Sequence, residues 1–217
     1  MRFTRFVSAV AGAATLVAGA AHAQTIDSAT IAALRWRNVG SANTMGRIAD
    51  VEGIPWPSRT LYVAAAGGGL WKSTNFGTTF RPIFENYGIA AMGDLAIAPS
   101  DTNTLYLGTG EPNSRNSMSP GGGVFKSTDG GMTWKYIGLR ETEHIGRILV
   151  HPTNPQVAWV AALGPAWRAG GTGGLYKTTD GGANWTKVLT PANAETGVVD
   201  VAMHPTNPNV LFASTYQ

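Results

Sequence analysis

The chain has 217 residues with no cysteine, 28 glycines, and 16 basic against 13 acidic side chains, a formal net charge of +3. Without cysteine a disulfide framework is excluded, so packing and hydrogen bonds must hold the fold. Arg2 and Arg5 belong to an N-terminal leader, and setting them aside leaves 14 basic residues against 13 acidic ones, or +1; no Lys/Arg cluster remains, which excludes a nucleic-acid partner.

The first predicted element is that leader, residues 1–23. Basic residues are followed by an apolar run from Phe6 to Ala20 and then by Ala21-His22-Ala23, the pattern of a secretory signal with its cleavage site. The run is shorter than the roughly 20 residues that span a bilayer, and nothing later is apolar enough to do so. The mature chain is therefore expected to begin at Gln24, to carry no membrane span, and to be periplasmic or secreted. Residues 24–45 form an N-terminal segment in which Trp36 to Val39 offer a possible ring-closing strand.

From residue 46 onward the sequence repeats. Gly146-Arg147-Ile148-Leu149-Val150-His151-Pro152-Thr153-Asn154-Pro155 returns 53 residues later as Val199-Asp200-Val201-Ala202-Met203-His204-Pro205-Thr206-Asn207-Pro208. Gly93-Asp94-Leu95-Ala96-Ile97-Ala98 stands 53 residues earlier, and Gly46-Arg47-Ile48-Ala49-Asp50-Val51 opens the series. Each opening run is followed by a second apolar run, such as Leu105-Tyr106-Leu107, and a third, such as Gly123-Val124-Phe125-Lys126. A turn then leads to a fourth, such as Trp134-Lys135-Tyr136-Ile137. Four short strands in a period of about 50 residues describe a propeller blade.

The turn between strands three and four is the most specific feature. Ser127, Asp129, Gly131 and Trp134 recur as Thr178, Asp180, Gly182 and Trp185, and in altered form as Ser73, Asn75, Gly77 and Phe80. This is the Asp box, S/T-x-D-x-G-x-x-W. Its acid or amide accepts turn N–H groups, its glycine supplies a positive φ, and its aromatic ring packs into the sheet.

The expected fold is thus an all-β propeller of four-stranded antiparallel blades with Asp-box turns, incomplete in this chain. Blades are expected at about 46–84, 93–137 and 146–189, with half of a fourth at 198–217. Propellers close with about four to eight blades, so the remaining blades are expected from a longer chain or another subunit.

Propeller geometry puts the loops joining strands two to three and four to one on one face, and the Asp boxes on the other. Function belongs with the longer loops. Those loops contribute Glu111, Arg115, Trp167 and Arg168, and the four-to-one connections add Asn86, Tyr87, Glu141, Glu143 and His144. Aligning the innermost strands also sets Arg47, Asp94, Arg147 and Asp200 at equivalent positions in successive blades. Two readings of that ring stay open: ion pairing between blades, or Arg47 and Arg147 holding an anionic or sugar ligand through their guanidinium forks. Trp71, Trp134, Trp159 and Trp185 recur in register as packing residues, whereas Trp36, Trp56 and Trp167 do not, and Trp167 is the one suited to stacking on a sugar. His151 and His204 read as turn residues rather than zinc ligands. Gly108-Thr109-Gly110 opens no dinucleotide fingerprint, since no helix follows; neither metal nor cofactor is expected.

With the Asp boxes, the segments Trp36-Arg37-Asn38-Val39-Gly40, Ala64-Ala65-Ala66-Gly67-Gly68-Gly69-Leu70-Trp71-Lys72 and Gly108-Thr109-Gly110-Glu111 resemble exported bacterial BNR or Asp-box repeat, glycosyl-hydrolase-like proteins, from about Leu34 to the end. More distantly the chain resembles sortilin-type receptor ectodomains, the photosystem II assembly factor family and xyloglucan-cleaving glycosidases. The resemblance implies protein binding in the first two cases and glycan cleavage in the third. The expected function is thus binding of a protein or carbohydrate ligand on the long-loop face, with a xyloglucanase-like or sialidase-like glycoside hydrolase as the alternative. In the xyloglucan-cleaving family a catalytic Asp stands four places after the Tyr of strand two in the first blade; here that Tyr is Tyr62 and the matching residue is Ala66. A glycosidase needs two carboxyl groups, for which the weak candidates are Glu111, Asp94 and Asp200.

Overall fold

The computed structural model describes residues 47–217, so the leader, the 24–45 segment and the strand expected at Trp36 to Val39 lie outside the described residues. The described chain is built from antiparallel sheets in sequence order, as expected for a partial propeller. Strands β1 (Ile48–Gly53), β2 (Leu61–Ala65), β3 (Gly69–Ser73) and β4 (Arg81–Pro82) form the first sheet. The second comprises β5 (Met92–Ala98), β6 (Asp101–Thr109), β7 (Val124–Ser127) and β8 (Lys135–Gly138). The third comprises β9 (Ile145–His151), β10 (Asn154–Ala162), β11 (Gly174–Thr178) and β12 (Thr186–Leu189), and β13 (Gly197–His204) pairs with β14 (Asn207–Tyr216). Two single 3-10 turns, Glu85–Tyr87 and Arg140–Thr142, lie in the connections between sheets.

The core lies in layers between successive blades. Tyr62, Leu70, Phe84, Leu95, Leu107 and Trp134 fill the first layer, Tyr106, Val124, Ile148 and Val160 the second, and Trp159, Leu175, Val198 and Val201 the third. Both faces of each middle sheet are covered, so its strands read as apolar runs rather than as alternating ones. The outer faces differ: Ile48 and Val51 on β1, and Phe212 and Tyr216 on β14, are all more than half exposed.

The three turns after β3, β7 and β11 share one hydrogen-bond plan. The buried Ser127 Oγ accepts from the Gly131 N–H at 2.9 Å and donates to Asp129 Oδ1 at 2.7 Å, while Asp129 accepts from the N–H groups of Met132 and Thr133. Thr178 with Gly182 and Asp180, and Ser73 with Gly77 and Asn75, repeat the plan. Gly130 and Gly181 hold φ near 70°, where a left-handed turn favours glycine; the first turn places Phe76 there at φ 56°.

These turns also join neighbouring blades. Tyr62 Oη and Lys72 Nζ donate to the Gly130 carbonyl, and Lys126 Nζ reaches the Gly181 carbonyl one blade further on. Trp134 Nε1 donates to the Ile83 carbonyl and Trp185 Nε1 to the Ile137 carbonyl, so each ring is anchored in the blade before its own. His151 and His204 accept the N–H groups of Thr153 and Thr206 through Nδ1 within their tight turns.

Candidate functional site

Near its start each inner strand carries a bulge, at residues 49, 93, 146 and 199, and the residue after it is in register from blade to blade: Asp50, Asp94, Arg147 and Asp200. The first member of the ring is therefore Asp50 and not Arg47, which corrects the alignment drawn from sequence. The Gly-Arg-Ile triplets at 46–48 and 146–148 look alike, but glycine at the bulge answers to packing. A Cβ at Gly93 would lie 2.1 Å from the Ile145 carbonyl oxygen, and one at Gly146 would lie 2.1 Å from that of Val199. In the first blade the bulge residue is Ala49, three places beyond the misleading Gly46.

The ring ties the blades together. Asp50 accepts the Leu95 N–H at 3.2 Å and Asp94 accepts the Ile148 N–H at 2.7 Å, each reaching one blade forward. Arg147 spans two blades, donating to Asp94 at 3.3 Å and to Asp200 at 3.2 Å. Burial, with Asp50 adding to it, pushes Asp94 up to about 8 against the pull of the Ile148 N–H and Arg147. Glu52, two residues along β1 from Asp50, is pushed up to about 7 by burial and by Asp50. Burial opposes the charge on Arg147, but Asp94, Asp200 and Asp50 more than offset it. With Asp50 as its first member the ring holds three acids and one base, so the signs do not alternate as expected; within it Arg147 alone supplies ion pairs between blades, to Asp94 and to Asp200.

A second cluster forms where β6 ends. The register sets Arg47, Ala91, His144 and Gly197 at one position, just before the inner-strand residues Ile48, Met92, Ile145 and Val198. The carbonyls of Arg47, Ala91 and His144 each accept the N–H at the end of strand two, from Ala66, Gly110 and Leu163. Glu111 follows Gly110 in the middle blade. Its carboxylate pairs with Arg47 from the blade before, and its backbone carbonyl bonds His144 Nδ1 from the blade after at 2.8 Å. Only a donor can serve a carbonyl, so Nδ1 carries the proton and the buried Nε2 is left as an acceptor. Burial holds this imidazole below its ordinary range, although Glu143 acts to raise it. Burial and then the neighbouring Arg115 lower Arg47, which puts a second guanidinium near the cluster.

Glu111 is thus buried, at 3% exposure, where a loop carboxylate free in solvent was expected. The reason is local: the loop turns back so that Glu111 N–H bonds the Ser119 carbonyl, which folds the acid under the loop. Arg115 stands exposed further along the same loop. Trp167 is 67% exposed on the next blade's loop, and Arg168 beside it pairs with Glu143. The structure brings Glu111 together with Arg47, and Asp94 together with Arg147 and Asp200. Asp50 and Glu52 escaped sequence reasoning, although Asp50-Val51 followed by Ile54-Pro55 matches Asp94-Leu95 followed by Ala98-Pro99.

The family described as "Sortilin, neurotensin receptor 3" matches residues 122–217. A xyloglucanase of Hypocrea jecorina (strain QM6a) is 28% identical over 176 residues, covering 72% of this chain and 19% of that protein. Among solved structures, an ancestral GH74 enzyme aligns with a TM-score of 0.60 at 22% identity, covering 77% of this chain and 22% of that one. The Niastella koreensis GH74 enzyme aligns at 0.56 and 25% identity, covering 72% of this chain and 23% of that one. The chain spans about a fifth of the length of these relatives. Sheet architecture, repeat and likeness together make this chain a partial β-propeller, distantly related to the glycosyl-hydrolase-like and sortilin-type propellers.

Proposed function

We propose that this chain is an exported propeller module that binds a protein or glycan ligand on the face carrying its long loops. One observation carries the choice of binding over cleavage: two of the three acid candidates are committed, and the third, the exposed Asp200, pairs with Arg147. Glu111 is buried against Arg47, and Asp94 is held by Arg147 and the Ile148 N–H. A carboxyl group engaged in this way is poorly placed to attack or protonate a glycosidic bond. Arg115 and Trp167 are both exposed, each on a loop joining strands two and three of its blade, and there an indole can stack on a sugar or an apolar side chain and a guanidinium can meet a polar rim.

Export follows from the leader, and intact-mass measurement on protein from a secreting host should find a chain beginning at Gln24; Met1 retained in the soluble fraction would oppose it. The exposed apolar residues of β1 and β14 support completion of the ring by further blades, from a longer chain or another subunit. The binding reading is tested by calorimetry of the chain against xyloglucan oligosaccharides and periplasmic extract fractions, comparing wild type with Trp167→Ala.

The second reading is a glycoside hydrolase, xyloglucanase-like or sialidase-like, with acids partly beyond this chain. The likeness to a xyloglucanase favours it. It requires release of reducing ends from xyloglucan that disappears when an acid of the site is replaced.

A further inference from the structure

The repeat offers an internal comparison on the outermost strands. Pro82, Tyr136 and Lys187 pair with Trp71, Phe125 and Tyr176, and so occupy one position in three successive blades. In the third blade, Lys187 closes the crease between its sheet and the long loop. Its ammonium donates to the Gly171 carbonyl at 3.0 Å and lies 5.4 Å from the Tyr176 ring centre. Thr172 closes the crease further by donating to the Glu141 carbonyl of the preceding connection at 2.8 Å.

The second blade lacks both closures. Tyr136 replaces the flexible Lys187 stem, and Gly121, which stands where Thr172 does, has no hydroxyl to offer. What remains is an open cleft of about 650 Å³ between the connection at Tyr87 and the loop ending at Gly122, a volume in the range of small-molecule sites. Its walls are aromatic. Tyr136 is 42% exposed and packs edge-on to Phe125 at 5.5 Å, and Tyr87 meets Phe125 at 6.1 Å. The exposed Arg140 places its guanidinium 5.6 Å from the Tyr136 ring centre, and the lining includes no carboxylate.

The repeat does not demand an exposed aromatic and a guanidinium here, since the fold closes the same crease with a lysine one blade later. Arg140 lies over one face of the Tyr136 ring, so the pair sets a forked cation on an aromatic wall, the complement of a ring that bears a carboxylate. We propose that this cleft binds a single-ring carboxylate, with the ring against Tyr136 and Phe125 and the carboxylate on Arg140. A planar aromatic acid and a uronic acid share that chemistry.

The test is calorimetric titration of the chain with 4-hydroxybenzoate and with glucuronate, each beside its neutral counterpart, phenol or glucose. Saturable binding is expected for at least one acid at Kd of about 1 mM or tighter, with the neutral counterpart at least about tenfold weaker. Preference for 4-hydroxybenzoate assigns a planar ligand, and preference for glucuronate a sugar acid. Arg140→Gln should weaken the acid about tenfold or more and leave the neutral ring unchanged. Tyr136→Lys, which installs the closure of the third blade, should abolish binding without moving the melting curve. The proposal is overturned if neither acid saturates by about 10 mM, or if Arg140→Gln and Tyr136→Lys both leave binding unchanged.

Discussion

Arg47 and His144 occupy the same repeat position two blades apart, and both converge on Glu111 of the blade between them, one through its carboxylate and the other through its carbonyl. Three blades are thereby joined at one residue on the long-loop face. Removing either charge of the Arg47–Glu111 pair leaves the other without its partner. Arg47 is only partly buried, which tempers the cost. Glu111→Gln is expected to cost about 1–3 kcal/mol and Arg47→Ala to destabilise as well, with strong non-additivity in the double mutant. Urea unfolding of the four proteins of the cycle measures it; additive losses would mean that the pair contributes no coupling.

The acid ring makes stability fall as pH rises. Asp94 at about 8 and Glu52 at about 7 lie above their ordinary values, so the folded state holds protons that the unfolded chain has released. Their stabilising contribution is complete below about pH 4 and is lost as pH rises through about 7 to 8. Melting temperatures between pH 5 and 9 should show the decline, and Asp94→Asn should flatten it. A profile that Asp94→Asn leaves unaltered would count against this assignment.

The strand-three turns act at the other end of the scale. Burial alone would raise Asp129, but hydrogen bonds from the Thr133 hydroxyl and N–H, the Ser127 hydroxyl and the Met132 N–H carry it down to about 2. Asn184, through side chain and backbone, and Thr178 bring Asp180 to about 2 as well. Their contribution is present above about pH 4 and is lost as pH falls through about 2. The backbone donors to Asp129, the Met132 and Thr133 N–H groups, are exposed, so Asp129→Ala should cost only about 1 kcal/mol. Ser127→Ala strands the buried Gly131 N–H and should cost about 1–3 kcal/mol. Chemical denaturation of both variants checks the order, and a larger loss for Asp129→Ala would reverse the assignment of the buried partner.

The blade count and the strand-three turns could be read from sequence because they repeat, and repetition averages over local noise. The inner ring could not be read at its first member. Gly46-Arg47-Ile48 imitates a pattern whose glycine is required by the carbonyl of the next blade, and that contact exists only in three dimensions. The burial of Glu111 was hidden for a similar reason. A loop of Gly, Pro, Asn and Ser reads as solvated, yet the Ser119 carbonyl draws the acid inward. His144 could be assigned to a four-to-one connection, but its tautomer depends on a carbonyl 33 residues away in sequence.

Trp167 is expected to matter for ligand and not for folding. At 67% exposure its removal should shift stability by less than about 0.5 kcal/mol. Thermal melts of Trp167→Ala check this, and a clear loss of stability would place the ring in the core.

The most direct measurement for the central claim is a paired assay on one glycan panel, calorimetric binding alongside reducing-end release, for wild type, Trp167→Ala and Glu111→Gln. The account predicts saturable binding of a glycan or, where no glycan binds, of a protein captured from periplasmic extract. Trp167→Ala should weaken that binding with its melting curve unmoved, and no reducing ends should accumulate. Catalytic release of reducing ends that Glu111→Gln abolishes, in a protein that stays folded, would contradict it.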